Sequence, residues 1–147
     1  MIYIGADHRG YELKKKLKKF LEELGHDYED MGAFEYNKDD DYADYASIVA
    51  EKVAQDPDGT RGIWICRNGP GMDIVANNFK GIRSVLGFNA EQVRLARNDD
   101  NINILTLPSD FISEKEAKDL VEMFLETPFE SHERFVRRIN KIKELEK

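Results

Sequence analysis

Hydrophobic positions along the chain alternate between short apolar runs and longer stretches in which apolar residues recur every three or four positions. The short runs are rich in β-branched residues, which is typical of strands. They predict five strands, at Met1 to Ala6, His26 to Met31, Gly62 to Cys66, Ile82 to Leu86 and Ile102 to Leu107.

Helices are predicted between these strands and after the last one. A first helical stripe ends at Gly25, and a second runs from Tyr42 to Val53. Later helices begin at polar caps, with Asn89 paired to Gln92 and a Ser-x-x-Glu capping box at Ser113. Because right-handed crossovers place helices on both faces of a parallel sheet, this alternation predicts a doubly wound, Rossmann-like α/β domain with a five-stranded parallel sheet.

A further helix is predicted after Pro128, where a five-stranded α/β domain needs none. This C-terminal helical arm, residues 131–147, has one apolar face and many basic residues: Phe135, Ile139 and Ile142 on the face, and Arg134, Arg137, Arg138, Lys141 and Lys143 around it. Two interpretations stay open. The arm packs on a partner subunit, or it is a solvated terminal helix.

Length and composition narrow the class of protein. The 147 residues are the size of one ordinary domain, so residues 1–147 are predicted to form a single domain. With 41% hydrophobic and 35% charged residues the chain is too apolar for a disordered protein, and no apolar run is long enough to span a membrane. The net charge of -7 argues against a nucleic-acid partner. Cys66 is the single cysteine, which excludes an internal disulfide, and without a secretory signal a cytoplasmic location is expected.

Three polar segments are predicted to share one ligand crevice. In open parallel sheets, ligands bind beyond the carboxyl ends of the strands. The first strand is followed by Asp7, His8 and Arg9, the third ends in Cys66-Arg67-Asn68, and residues 98–101 precede the fifth. The acidic stretch from Glu35 to Asp44 is instead predicted to be an exposed loop, and its run of three aspartates a solvated segment rather than a cation site.

The turn Asn68-Gly69-Pro70-Gly71 leads into a short predicted helix, Met72 to Asn77. Backbone N–H groups at such a helix start favour a phosphate or a developing oxyanion. Ile74 stands where a third glycine of a dinucleotide fingerprint belongs, and no Gly-Lys-Ser/Thr follows as in a P-loop. The turn is therefore either an anion site of another kind or a plain tight turn.

Cys66 and His8 each have a functional and a structural interpretation. Arg67 and the nearby helix start are expected to lower the pKa of the Cys66 thiol and make it a base or nucleophile, while the alternative is a buried structural cysteine. His8 is either an ordinary hydrogen-bonded histidine or part of a polar site. His8, His26 and His132 are too far apart along the chain to suggest a metal site, so no metal is predicted.

Several ordered motifs resemble ribose-5-phosphate isomerase B, a family that includes the galactose-6-phosphate isomerase subunits. The resemblance covers nearly the whole chain and rests on residues 5–10 (GADHRG), 41–46 (DYADYA), 65–72 (ICRNGPGM) and 76–83 (ANNFKGIR). It implies the doubly wound fold, a homodimer or homotetramer with an active site shared between subunits, and isomerisation of a sugar phosphate through an enediolate without metal or organic cofactor.

The resemblance also implies roles for individual residues. Cys66 matches the base that moves the proton between C1 and C2, and Asn68, with the amides of Gly69 and Gly71, would stabilise the oxyanion. Asp7, His8 and Tyr42 match positions that contact substrate, with His8 near the phosphate, and Arg134 and Arg138 match arginines that reach the phosphate from the neighbouring subunit. Arg67 and Asp100 are also predicted to contact substrate, and Arg9, where the family usually has glycine, would add a phosphate contact.

Asn68 stands where the family usually has Thr or Ser, and two further departures from the family pattern bear on the reaction. Asp99 stands where the family has its ring-opening histidine, and Asp110 replaces a phosphate-site arginine. A carboxyl group of ordinary pKa is a poor acid near neutrality. Three functions therefore stay open: an isomerase of ribose 5-phosphate, with Asp99 in a catalytic position; an isomerase of another pentose or hexose phosphate; and a noncatalytic sugar-phosphate-binding protein.

Overall fold

The computed structural model describes residues 1–146, which contain one parallel sheet of five strands. The strands lie in the order β2-β1-β3-β5-β4, and every neighbouring pair is parallel. Their bounds are β1 Ile2–Ala6, β2 Tyr28–Asp30, β3 Arg61–Cys66, β4 Ser84–Leu86 and β5 Ile104–Pro108. The predicted doubly wound α/β fold is confirmed.

Helices cover both faces of the sheet. Their bounds are α1 Tyr11–Glu23, α2 Tyr42–Gln55, α3 Pro70–Ala76, α4 Ala90–Asp100, α5 Glu114–Glu126 and α6 Glu133–Leu145, with a 3-10 turn at His8–Gly10. Buried side chains of α1, α4 and α5 form one core layer, and those of α2 and α3 form the other.

Alternation along the central strands decides which residue meets which layer. In β3, Ile63 and Ile65 enter the α1/α4/α5 layer, whereas Trp64 and Cys66 enter the α2/α3 layer. The Trp64 ring lies across Gly5 of β1, where an added Cβ would come within 2.1 Å of the ring. Cys66 therefore ends its strand on the side of the sheet that α3 covers.

Local sequence signals explain most element ends. Asn89 accepts the amide of Gln92, and Ser113 and Glu116 form the full capping box. Strands β2, β4 and β5 begin two residues later than predicted, at Tyr28, Ser84 and Ile104. Ahead of β4, the amide of Arg83 donates to the side chain of Asn103 at 2.8 Å and does not take part in the strand ladder.

The C-terminal helix α6 packs on its own chain, next to α4. Phe135 and Ile139 are buried, while Ile142 remains 42% exposed. The predicted arm ends at Lys147, which lies outside the described residues. Within residues 1–146, no helix combines the length and the apolar character needed to cross a membrane.

Candidate active site

Cys66 lies at the carboxyl end of β3, and its thiol fits into the start of α3. The residue is 5% exposed, and the amide of Gly69 donates to its Sγ at 3.1 Å. Gly69 can point its amide back in this way because it adopts a φ of 96°, which favours glycine. The amides of Asn68 and Met72 also act on the sulfur and favour the thiolate.

The expectation of a lowered thiol pKa is wrong for this chain on its own. Burial and the charge of Asp7 raise the pKa of Cys66 from 9.0 to about 11, and together they outweigh the amides of the turn. Arg67 does not offset them, because its Nε bonds Asp110 Oδ2 at 3.0 Å and the side chain is 61% exposed. The thiol is thus held in a position suited to a base, but mostly in its protonated form.

Tyr42 closes one side of the glycine turn. Its ring lies so near Gly71 that a Cβ on that glycine would come within 2.6 Å of the ring carbon Cζ. Tyr42 is also the first residue of α2, so the ring is placed by a helix that packs on α3. The structure therefore brings Tyr42, Gly69, Gly71, Asn68 and Cys66 together, as predicted.

Two carboxylates accept hydrogen bonds from the backbone amides of the 3-10 turn after β1. Asp7 accepts the amides of Arg9 at 2.9 Å and Gly10 at 3.2 Å, and Asp40 accepts the amide of His8 at 3.2 Å. Burial raises the pKa of Asp7 despite these bonds. Since its three amides are occupied, this turn offers no free backbone donors to an anion, and the side chains of His8 and Arg9 remain for that purpose.

Hydrogen bonds join the loops that follow β1, β3 and β5. The amide of Ser109 donates to Cys66 O at 2.7 Å, and that of Asp110 donates to Arg67 O at 2.9 Å. Ser109 Oγ donates to Arg9 O at 3.2 Å. These bonds fix the guanidinium-bearing residues Arg9 and Arg67 at the same edge of the sheet as Cys66.

Asp99 and Asp100 do not share this crevice within one chain, which corrects the prediction. They end α4 and precede β5, and Asp100 O accepts Arg83 Nε just ahead of β4. They therefore lie at the amino edge of the sheet, whereas Cys66 pairs with Pro108 at the carboxyl edge. The length of β5, about 13 Å at the usual rise per residue, separates the two edges.

Arg138 of α6 belongs to the same distant group, and Arg134 lies about one turn earlier on the same helix. Arg134 and Arg138 are both exposed, Arg134 packs on the Phe135 ring, and the charge of Arg138 acts on Asp100. Burial and Asp99 raise the pKa of Asp100, and Arg138 and Arg83 partly offset them. A cleft of about 570 Å³ opens beside this group, with Arg83, Asp100 and Ile142 in its lining.

The sequence analysis missed Asp40, which it assigned to a solvated loop. Its side chain is 4% exposed and lies against His8, with Oδ1 2.5 Å from Nδ1. Among neighbours in a run of three aspartates, no sequence signal distinguishes it. Only the path of residues 33–41 over the 3-10 turn buries this one carboxylate and leaves Asp39 and Asp41 exposed.

The five-stranded α/β fold, with a thiol held in a glycine turn at the carboxyl edge of the sheet, is the arrangement that the resemblance to sugar-phosphate isomerases implies. The family model described as Ribose/Galactose Isomerase matches residues 2–142. The chain belongs to this family, which confirms the resemblance drawn from the motifs.

Named relatives and solved structures agree with this assignment. The ribose-5-phosphate isomerase B of Mycobacterium leprae is 36% identical over 146 residues, which is 99% of this chain and 90% of the relative. The structure of the Mycoplasma genitalium enzyme with bound ribulose-5-phosphate is similar with a TM-score of 0.94 at 38% identity, covering 97% of this chain and 93% of that one. The Thermotoga maritima ribose 5-phosphate isomerase gives 0.91 at 41% identity, covering 98% and 97%.

Proposed function

We propose that this isomerase interconverts ribose 5-phosphate and ribulose 5-phosphate, with Cys66 as the base and no metal or organic cofactor. The observation that carries the proposal is the buried Cys66 thiol held by the amides of a glycine turn. The relative from Mycoplasma genitalium, whose structure holds ribulose-5-phosphate, supports the choice of sugar. A free thiol also fits a reducing compartment such as the cytoplasm.

In this mechanism the Cys66 thiolate takes the proton from C2 of the open-chain aldose and returns it at C1, while the proton of the C2 hydroxyl passes to the oxygen on C1. The enediolate that forms between these steps carries negative charge on oxygen. Asn68 and the Gly71 amide, which is in the first turn of α3 and lacks an acceptor within the helix, stabilise that charge. A base with a pKa near 11 is strong but mostly protonated at neutral pH, so only a small fraction of the free protein holds the thiolate that this step needs.

We further propose that the complete site forms between two copies of the chain, as a homodimer or within a homotetramer. Cys66, His8 and Tyr42 lie at the carboxyl edge of the sheet, and the groups around Asp99 and Arg138 lie at the amino edge. One chain cannot bring both groups to one small sugar phosphate. A two-fold partner that places its amino edge beside this carboxyl edge would supply Asp99, Asp100, Arg134 and Arg138.

The test of the reaction is an NMR assay of ribose 5-phosphate in deuterated water, which follows ribulose 5-phosphate and the deuterium at C2. We expect conversion by the wild-type protein and none by a folded Cys66→Ala variant. Conversion that survives in Cys66→Ala would refute the role of the thiol. No conversion of ribose 5-phosphate, with conversion of another pentose or hexose phosphate, would refute the choice of sugar.

The test of the shared site mixes two inactive variants. Cys66→Ala and Arg138→Ala affect opposite edges, so a mixed dimer contains one site with both residues intact. Random reassociation should restore about one quarter of the wild-type activity, because half of the dimers are mixed and each has one working site. If the mixture stays inactive while mass spectrometry detects mixed dimers, the shared site is refuted.

A further inference from the structure

We propose that Asp40 is a positioning residue that fixes the imidazole of His8 for binding the substrate phosphate. The inference rests on the proposed function and on the resemblance to the family, which implies that His8 lies near the substrate phosphate. Asp40 belongs to the loop between β2 and α2 and does not itself face the thiol turn. Its hydrogen bonds act on the reaction through His8, and its charge also acts on Asp7.

The contact between the two residues fixes both the backbone and the ring of His8. Asp40 Oδ1 lies 2.5 Å from His8 Nδ1 and 3.2 Å from the His8 amide. An ionised carboxylate only accepts hydrogen bonds, so both nitrogens donate to the same oxygen. Rotation of the ring away from Asp40 breaks the shorter of these bonds, and the ring is therefore held in one orientation.

The second oxygen of Asp40 shows that this carboxylate has no other polar partner among the described residues. Oδ2 is buried and accepts no hydrogen bond, and the side chain is 4% exposed. A buried oxygen without a partner destabilises the fold. Among the described residues, the side chain of Asp40 is therefore hydrogen-bonded to His8 alone. Its carboxylate orients His8 at some cost in the stability of the loop.

Fixing Nδ1 decides which atom of His8 is left for a ligand. With Nδ1 donating to Asp40, the free ring nitrogen is Nε2, and the His8 side chain is 17% exposed. His8 directly follows Asp7, whose charge acts on Cys66, so the His8 backbone lies at the same edge of the sheet as the thiol. Asp40 also precedes Tyr42 by two residues, which links the loop to the residue that closes the glycine turn.

The experiment compares Asp40→Ala, Asp40→Asn and His8→Ala with a control, Asp39→Ala, which removes an exposed carboxylate from the same loop. Each variant is assayed for KM and kcat with ribose 5-phosphate, and its affinity for inorganic phosphate is measured by calorimetry. A double variant, His8→Ala with Asp40→Ala, tests whether the two residues act together. Two-bond ¹H–¹⁵N NMR spectra report which nitrogen of His8 carries a proton.

We expect Asp40→Ala to raise KM and the Kd for phosphate about tenfold with little change in kcat, as for the loss of a hydrogen bond that acts on binding. Asp40→Asn keeps an oxygen acceptor and should restore part of the loss. Asp39→Ala should behave as wild type. In the His8→Ala background, Asp40→Ala should cause no further change, and Nδ1 of His8 should be protonated in the wild type.

Several results would overturn the inference. These are a wild-type KM in Asp40→Ala, effects of the two single variants that multiply in the double variant, or an unprotonated Nδ1 in the wild-type protein. If Asp40→Ala does not fold, Asp40→Asn and the NMR spectra decide. If the wild-type protein fails to isomerise ribose 5-phosphate, the proposed function is refuted, while phosphate affinity and the NMR spectra still test the role of Asp40.

Discussion

The ionisation of Cys66 provides the most direct test of how the site is built. With a pKa of about 11 in place of the ordinary 9.0, about one thiol in a thousand is ionised at pH 8, against about one in ten for an unperturbed cysteine. Burial is the larger cause and the charge of Asp7 the second. Replacing Asp7 by Asn removes the second cause and leaves burial, so the pKa of Cys66 should fall.

The assay is the absorbance of the thiolate near 240 nm as the pH is raised. Cys66 is the single cysteine of the chain, so the signal has one source once the tyrosines are subtracted with Cys66→Ala. We expect a midpoint near 11 in the wild type and a lower midpoint in Asp7→Asn. Arg67→Gln is the matched control and should not move it, because Arg67 is paired with Asp110.

A wild-type midpoint below 9.0 would refute this reasoning, since the amides of the turn would then outweigh burial and Asp7. The activity of the free enzyme should also depend on the ionisation of Cys66. If Cys66 acts as the base, kcat/KM should rise with pH by about tenfold per unit below the thiol pKa. If kcat/KM does not change between pH 7 and pH 9, with chemistry shown to be rate-limiting, the base is a group other than the Cys66 thiol.

Three further predictions concern the support of the site and the fold. Gly71→Ala places a Cβ 2.6 Å from Tyr42 Cζ, so KM should rise severalfold. In a Tyr42→Ala background the same substitution should raise KM less. An equal rise in both backgrounds would contradict the clash. Burial raises the pKa of Asp30, but hydrogen bonds from two lysines and a backbone amide lower it below 3.8 overall. Asp30 thus stabilises the fold above its unfolded pKa and loses this effect as pH falls through its folded pKa. Asp30→Asn should lower the free energy of unfolding by about 3 kcal/mol at pH 7 and by much less at pH 2 in urea titrations, and a pH-independent loss would refute the charge argument. Ser113→Ala removes the capping box and should lower the free energy of unfolding by about 1 kcal/mol in the same urea titrations. An unchanged midpoint of unfolding would contradict this prediction.

The candidate site shows what a linear sequence can reveal about chemistry. The thiol, the glycine turn and the Asp7-His8-Arg9 segment were found because each follows directly on a predicted strand, and strand ends in a parallel sheet meet at one edge. Asp99 and Asp100 precede β5, so the same rule assigns them to the opposite edge of the sheet, where the structure places them. The prediction that they share one crevice with Cys66 in a single chain is wrong for this reason.

The thiol pKa and the role of Asp40 were not predictable in this way. Both depend on how deeply a group is buried and on charges brought near it from other parts of the chain. Asp40 meets His8 across 32 residues of sequence. Arg67 is a neighbour of Cys66 in sequence, yet its guanidinium turns to Asp110, which is 43 residues away.

By itself the sequence determined the alternating strands and helices, the caps and turns that end them, the doubly wound fold and the family. These follow from local patterns of apolar spacing, capping residues and short motifs, which act within a few residues. Only the tertiary structure decided the ionisation of Cys66, the burial of Asp40 and the separation of the Cys66 and Asp99 edges within one chain. Desolvation and charge interactions depend on distance in space, and the folded chain alone sets those distances.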